Sequence, residues 1–112
     1  MWVSVSARVG SIGDNKLGGW WSYRASKAGL NQAVKTLDLW LERRAGERGM
    51  AVVVHPGTVR TRLSREFWEE VERKGKLMEE EEAAGKILDT VMGLGVEARG
   101  RFWDYKGEEI EW

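Results

Sequence analysis

The sequence predicts an α/β fold built on a parallel sheet, and three observations carry that prediction. Strand-like and helix-like patterns alternate in the order strand, long helix, strand, charged excursion, helix, strand, as crossover connections require. Ala51–His55 (A-V-V-V-H) is an unbroken run with no polar alternation, which is how a strand covered on both faces reads. Between the first two strands lies one sustained helical periodicity, long enough to cross over the sheet and return.

Trp2 to Ser6 reads as a short strand, and it begins almost at the first residue. A glycine-rich loop follows, with Gly10, Gly13, Gly18 and Gly19 as breakers. From about Ser22 to Ala45, Tyr23, Lys27, Leu30, Val34, Leu37 and Leu41 recur at spacings of three and four. Ala25, Ala28 and Ala33 keep neighbouring faces small, which predicts packing on two sides, and Gly46 and Gly49 end the helix. Pro56 and Gly57 stop the second strand. Leu63 to Arg73 is a charged helix candidate, and Glu79 to Leu94 a clearer one with Ala83, Ala84, Ile87, Leu88, Val91 and Met92 as its apolar face. The run Glu79–Glu82 suits the positive end of that helix dipole and needs no ligand to explain it. Arg101 to Tyr105 is a last strand, followed by a turn at Lys106–Gly107 and the tail E-E-I-E-W. Three strands leave a parallel sheet with an open edge and a poorly covered face, so residues 1–112 read as part of a larger α/β domain.

Composition narrows the function. Lys+Arg and Asp+Glu balance at 18 each, so no basic field points to nucleic acid. With no cysteine there are neither disulfides nor thiolate metal sites, which is compatible with a reducing, cytoplasmic setting. No apolar run approaches the roughly 20 residues that cross a bilayer, so no membrane partner is expected. No His/Asp/Glu cluster has metal spacing. Seven tryptophans, at 2, 20, 21, 40, 68, 103 and 112, are expected mostly in the core or in a pocket wall. Trp20 and Trp21 are the candidates for the wall.

Tyr23 and Lys27, four residues apart, share one face of the long helix. A free phenol, at a pKa of about 10, is a poor proton donor near neutrality, and a neighbouring ammonium favours its ionised form. The pair therefore reads as a tuned acid. His55, the only histidine, reads as a buried, hydrogen-bonded side chain rather than a second acid.

The helix opening Y-R-A-S-K, the serine-bearing loop S-A-R-V-G-S-I-G before it and V-V-V-H-P-G-T-V-R-T after it resemble the short-chain dehydrogenase/reductase family. The wording looks most like its C-factor-like, carbonyl-reductase-like branch, and G-R-F-W-D-Y-K-G-E-E-I-E-W fits that branch's closing strand. Y-x-x-x-K alone is common; with a serine twelve residues before it and P-G-T-V about thirty after, the match is strong.

The resemblance implies a Rossmann-like doubly wound sheet, of which this chain is the C-terminal half. It implies Tyr23 as the acid or base of carbonyl–alcohol interconversion, and Lys27 as the cation that tunes it and holds the nicotinamide ribose. It implies that Pro56, Gly57, Thr58, Val59 and Thr61 pack along the nicotinamide of NADP or NAD. It also implies a serine that polarises the substrate. Ser11 has the spacing and is preferred; Ser6 stands at the strand end, and Ala7 occupies the position that aligns best with the family's serine. A small carbonyl or alcohol is the implied substrate, with specificity in the loop 60–76. A homodimer through the helix 22–45 is allowed but not required.

The family's first half supplies a glycine-rich turn for the pyrophosphate. No such fingerprint occurs here: Gly93-x-Gly95 follows a helix and lacks the third glycine. Two expectations follow. The chain is an NAD(P)-dependent oxidoreductase in shortened or incomplete form, inactive alone. Alternatively, it is a genuine short product that binds no dinucleotide and pairs with a partner through its uncovered helix and sheet surfaces.

Overall fold

The computed structural model describes residues 1–112. Its central sheet has four strands in the order β1 (Trp2–Val5), β2 (Ala51–His55), β5 (Phe102–Asp104) and β6 (Glu109–Ile110). β1, β2 and β5 run parallel, and β6 returns antiparallel along β5. A separate small sheet pairs β3 (Thr58–Val59) with β4 (Leu77–Met78). The helices are α1 (Trp21–Ala45), α2 (Trp68–Arg73) and α3 (Glu80–Gly93).

β2 is the keel of the fold. Every residue from Ala51 to Val54 is buried, as the Val run requires. Ala51 and Val53 face one way, into a cluster with Val34, Phe102 and Ile110 that Leu30, Leu37 and Leu41 of α1 cover. Val52 faces the other way, against Met50 and Ala98, flanked by Val3, Leu94 and Trp103. The side-chain alternation of a strand thus builds two small cores, one on each face of the sheet.

The seam between α1 and β2 is polar and buried. Asp38 accepts the Ala51 amide at 2.8 Å and meets Arg99 Nε at 3.1 Å. Arg99 also donates to the Asp38, Gly46 and Gly49 carbonyls, so one guanidinium satisfies the frayed end of α1 and the approach to β2.

Several expectations change. The sheet has a fourth strand: Asp104 accepts the amides of Lys106 and Glu108, at 2.8 and 3.0 Å, and closes a hairpin that brings Ile110 back onto Phe102. The candidate helix 63–73 splits, with a 3₁₀ segment over Arg62–Phe67 giving way to α2. α1 packs on one side only; Leu39 and Trp40 are exposed on its outer face. α3 buries only Ala83, leaving Leu88 and Met92 in solvent. None of the seven tryptophans is buried: Trp68 and Trp103 are half-covered and the other five are exposed. With 18 of 112 residues buried, the core is too thin to enclose rings of that size.

Candidate functional site

The carboxyl ends of β1, β2 and β5 lie side by side, and the segments that leave them carry the site. After β1 the chain makes a 3₁₀ turn at Arg8–Gly10 that rests directly on α1. A Cβ on Gly10 would stand 2.8 Å from Lys27 Cβ, so glycine is required for this close approach.

The loop then reaches α1 through three successive left-handed residues: Gly18, Gly19 and Trp20, the last with φ 45°. A tryptophan in this region is strained and needs outside support. Arg24 supplies it, donating to the Gly19 and Gly18 carbonyls at 2.9 Å and to Val9 at 3.2 Å, with its guanidinium 5.7 Å from the Trp20 ring. Trp20 meets Phe67 edge-to-face at 5.7 Å, joining the loop before α1 to the excursion after β3.

Tyr23 stands in the first turn of α1, 39% exposed. Lys27 lies one turn on, its Nζ 5.9 Å from the centre of the Tyr23 ring. Helical spacing brings the pair together as the sequence predicts, with the phenol open to a ligand.

Ser11 is different. It is buried, its hydroxyl donates to the Glu111 carbonyl, and the same oxygen accepts the Asp14 amide at 3.0 Å. Its single proton is therefore committed to tying the C-terminal segment onto the loop. Ser6 follows β1 directly, two residues after Ser4, which pairs with Val53; it therefore shares the α1 face, and its buried hydroxyl has no partner. Ala7 offers no hydroxyl.

Pro56–Thr61 leaves β2 directly. Gly57 has φ 78°, and a Cβ there would lie 2.5 Å from Met78 Cε and 2.8 Å from Tyr105. Thr58 and Val59 pair with Leu77 and Met78, and Thr61 opens the 3₁₀ segment, its amide donating to Ser64 Oγ at 3.3 Å. Arg60 braces this excursion through Glu79 at 2.8 Å and Glu72 at 3.0 Å.

A cluster that sequence reasoning missed joins the three strand ends. His55 Nδ1 accepts the Arg8 amide at 3.2 Å, and the Arg8 guanidinium reaches buried Asp104 at 3.3 Å and Asp14 at 3.5 Å. Burial lowers the His55 pKa to about 4, with the Arg8 charge adding to the effect and Asp104 and Asp14 opposing it. His55 is thus neutral near pH 7, its Nε2 carrying the proton. The contacts span 47 and 96 residues, so no local signal could have found them.

A groove of about 710 Å³ lies between Leu77, Met78, Lys86, Thr90, Tyr105 and Lys106. Tyr23, Lys27 and Ser11 do not line it.

Tested against a nicotinamide dinucleotide, the residues fit one end and not the other. At the nicotinamide end, the chain offers a phenol beside an ammonium, Tyr23 and Lys27, and the turn that follows β2. At the phosphate end, Gly10 packs on Lys27 and the Gly18 and Gly19 carbonyls are taken by Arg24, so these glycines are committed within the chain.

The parallel-dominated sheet with its crossover helix defines an α/β, Rossmann-like class, and comparison with known proteins agrees. The chain is 33% identical over 108 residues to C-signal of Myxococcus xanthus, covering 96% of this chain and 58% of that protein. It superposes on the carbonyl reductase Sniffer of D. melanogaster with a TM-score of 0.81 and 32% identity, covering 98% of this chain and 40% of that one. An NADPH-bound carbonyl reductase from chicken fatty liver gives the same TM-score at 27% identity, with 42% of its chain covered. No protein-family model matches the chain. The chain belongs to the short-chain dehydrogenase/reductase family. It spans about half the length of the relatives it matches.

Proposed function

We propose that this chain carries the proton-transfer part of an NAD(P)-dependent short-chain oxidoreductase that interconverts a small carbonyl and its alcohol. The observation that supports it best is the Tyr23–Lys27 pair, held on one helix face beside the carboxyl ends of parallel strands, where ligands of such sheets bind. In reduction, the Tyr23 phenol gives its proton to the carbonyl oxygen and the Lys27 ammonium stabilises the phenolate left behind; in oxidation the proton returns to Tyr23. When bound, the nicotinamide supplies or accepts the hydride at the substrate carbon. Lys27 and the segment Pro56–Thr61 are the residues that would hold that end of it. Because the Ser11 hydroxyl donates its hydrogen bond to the Glu111 backbone carbonyl, this reading rests on Tyr23 and Lys27, and Ser11 polarises a substrate only if the tail releases it.

The 112 residues hold no seat for the adenosine and diphosphate, so in this reading they turn over negligibly by themselves. The test is carbonyl-dependent NADPH oxidation by the chain alone, and by the chain mixed with the dinucleotide-binding part of a carbonyl-reductase relative. Activity only in the mixture, lost in Tyr23→Phe, supports the proposal; activity indifferent to Tyr23 contradicts it.

A second reading, a non-catalytic chain that pairs with a partner, draws on the open edge of β1. Trp2 and Val5 are more than half exposed there, as is Trp40 on α1. Association in solution without any Tyr23-dependent turnover favours it.

A further inference from the structure

The loop between β1 and α1 ends in a projecting apolar tip. Leu17 is 92% exposed and Trp21 89%, Trp20 is half exposed, and a Cβ on Gly18 or Gly19 between them would meet nothing within 4 Å. Exposed apolar side chains grouped in this way mark a surface that a partner covers. The tip is not slack: Trp20 holds a left-handed φ of 45°, and Arg24 restrains it through the Gly18 and Gly19 carbonyls. Backbone strain maintained by its surroundings marks a segment with a task. The indoles of Trp2, Trp68 and Trp103 donate to Ser4, Ser64 and Ala98, whereas those of Trp20 and Trp21 donate to nothing within the chain.

Cations flank the tip. Lys16 precedes Leu17, and the Trp20–Phe67 contact at 5.7 Å brings up the 3₁₀ segment Arg62–Phe67, which carries Arg62, Leu63 and Arg65, all exposed. At roughly 2 Å per residue that segment is about 12 Å long, so both arginines lie close to the tip. None of Lys16, Arg62 and Arg65 belongs to an ion pair of the chain. Of the nearby carboxylates, Asp14 is paired with Arg8, which leaves Glu66. The chain as a whole is neutral, so this end is a local concentration of positive charge.

We propose that this tip docks on an anionic lipid surface, with Leu17, Trp20 and Trp21 entering the headgroup layer and Lys16, Arg62 and Arg65 meeting lipid phosphates. An indole suits that boundary, because its ring leaves water while its N–H finds headgroup oxygens. The cations add an attraction that a neutral bilayer lacks. A deformable lipid layer accepts a projecting tip as it stands, whereas a protein partner has to supply a groove complementary to it. No helix of the chain is long and apolar enough to cross a membrane, and docking at its surface needs none. The proposal does not rest on the proton-transfer reading of Tyr23 and Lys27.

The test is co-sedimentation of the 112-residue chain with vesicles of equal parts phosphatidylcholine and phosphatidylglycerol, and with phosphatidylcholine vesicles alone. Partition to the anionic vesicles is expected to exceed that to the neutral ones by about tenfold or more. It should fall about tenfold in Trp21→Ser, and by a similar factor when Arg62→Gln and Arg65→Gln are combined. Trp40→Ser is the control: Trp40 is also half exposed beside an arginine, Arg44, but lies roughly 28 Å along α1 from Trp21, and its loss should change nothing. All four positions are exposed, and matching circular dichroism spectra verify that the variants fold. Equal partition to neutral vesicles, undiminished binding by Trp21→Ser, or the same loss in Trp40→Ser would overturn the proposal. So would absence of vesicle binding, which would leave the tip to a protein partner.

Discussion

Lys27 Nζ lies 5.9 Å from the centre of the Tyr23 ring, and Tyr23 itself is open to solvent. An exposed phenol contributes little to folding, so Tyr23→Phe should alter stability by no more than about 0.5 kcal/mol. Loss of a positioned proton donor should nevertheless lower any carbonyl-dependent NADPH oxidation by about 10²–10⁴-fold. Thermal melts beside the mixed-chain assay separate the two effects.

His55 predicts a pH dependence of stability. Its folded pKa is lowered from 6.5 to about 4, so between those values the unfolded chain binds the extra proton. Stability is therefore full above about pH 6.5, declines as the pH falls toward 4, and levels off below. At about 1.4 kcal/mol per pKa unit, the loss attributable to this group is about 3 kcal/mol. Urea unfolding at pH 7, 5.5 and 4 measures it, and His55→Asn should flatten that part of the profile.

Asp38 and Arg99 form the buried ion pair of the fold. Asp38→Ala leaves a guanidinium only 14% exposed without its carboxylate and frees the Ala51 amide, which should cost about 3–5 kcal/mol. In a chain with so small a core this change is expected to unfold a large fraction of molecules at 37 °C, visible by circular dichroism.

Gly57→Ala should destabilise by about 1–3 kcal/mol, because the left-handed backbone there and the packing of Met78 and Tyr105 both exclude a Cβ. Since Gly57 opens the turn after β2, the change should also raise hydrogen exchange at the Thr58 and Val59 amides.

Ser11→Ala tests the anchoring role of that hydroxyl. It unpairs the Asp14 amide and the Glu111 carbonyl together, with an expected cost of about 1–3 kcal/mol. Proteolysis of the C-terminal segment should accelerate in the same variant.

What the sequence made legible was whatever depended on near neighbours. β2 was readable to the residue, because burial on both faces leaves a run of Val that turns at Pro56 stop. The Tyr23–Lys27 face followed from helical spacing. The return strand β6 was not readable, since two residues carry no period and its pairing rests on the Asp104 turn. Ser11 looked available because its acceptor lies 100 residues away, at Glu111. The tryptophans were expected in the core or a pocket wall on size, whereas the thin core left five of them exposed. Arg24 sat unnoticed between Tyr23 and Lys27, although it restrains the loop that delivers them.

The central claim is that these 112 residues hold the proton-transfer pair of a short-chain oxidoreductase without a seat for the rest of the dinucleotide. Titration of the purified chain with NADPH, followed by nicotinamide fluorescence, tests it most directly. The account predicts no saturable change with the chain alone; saturable binding at one site per chain would contradict it.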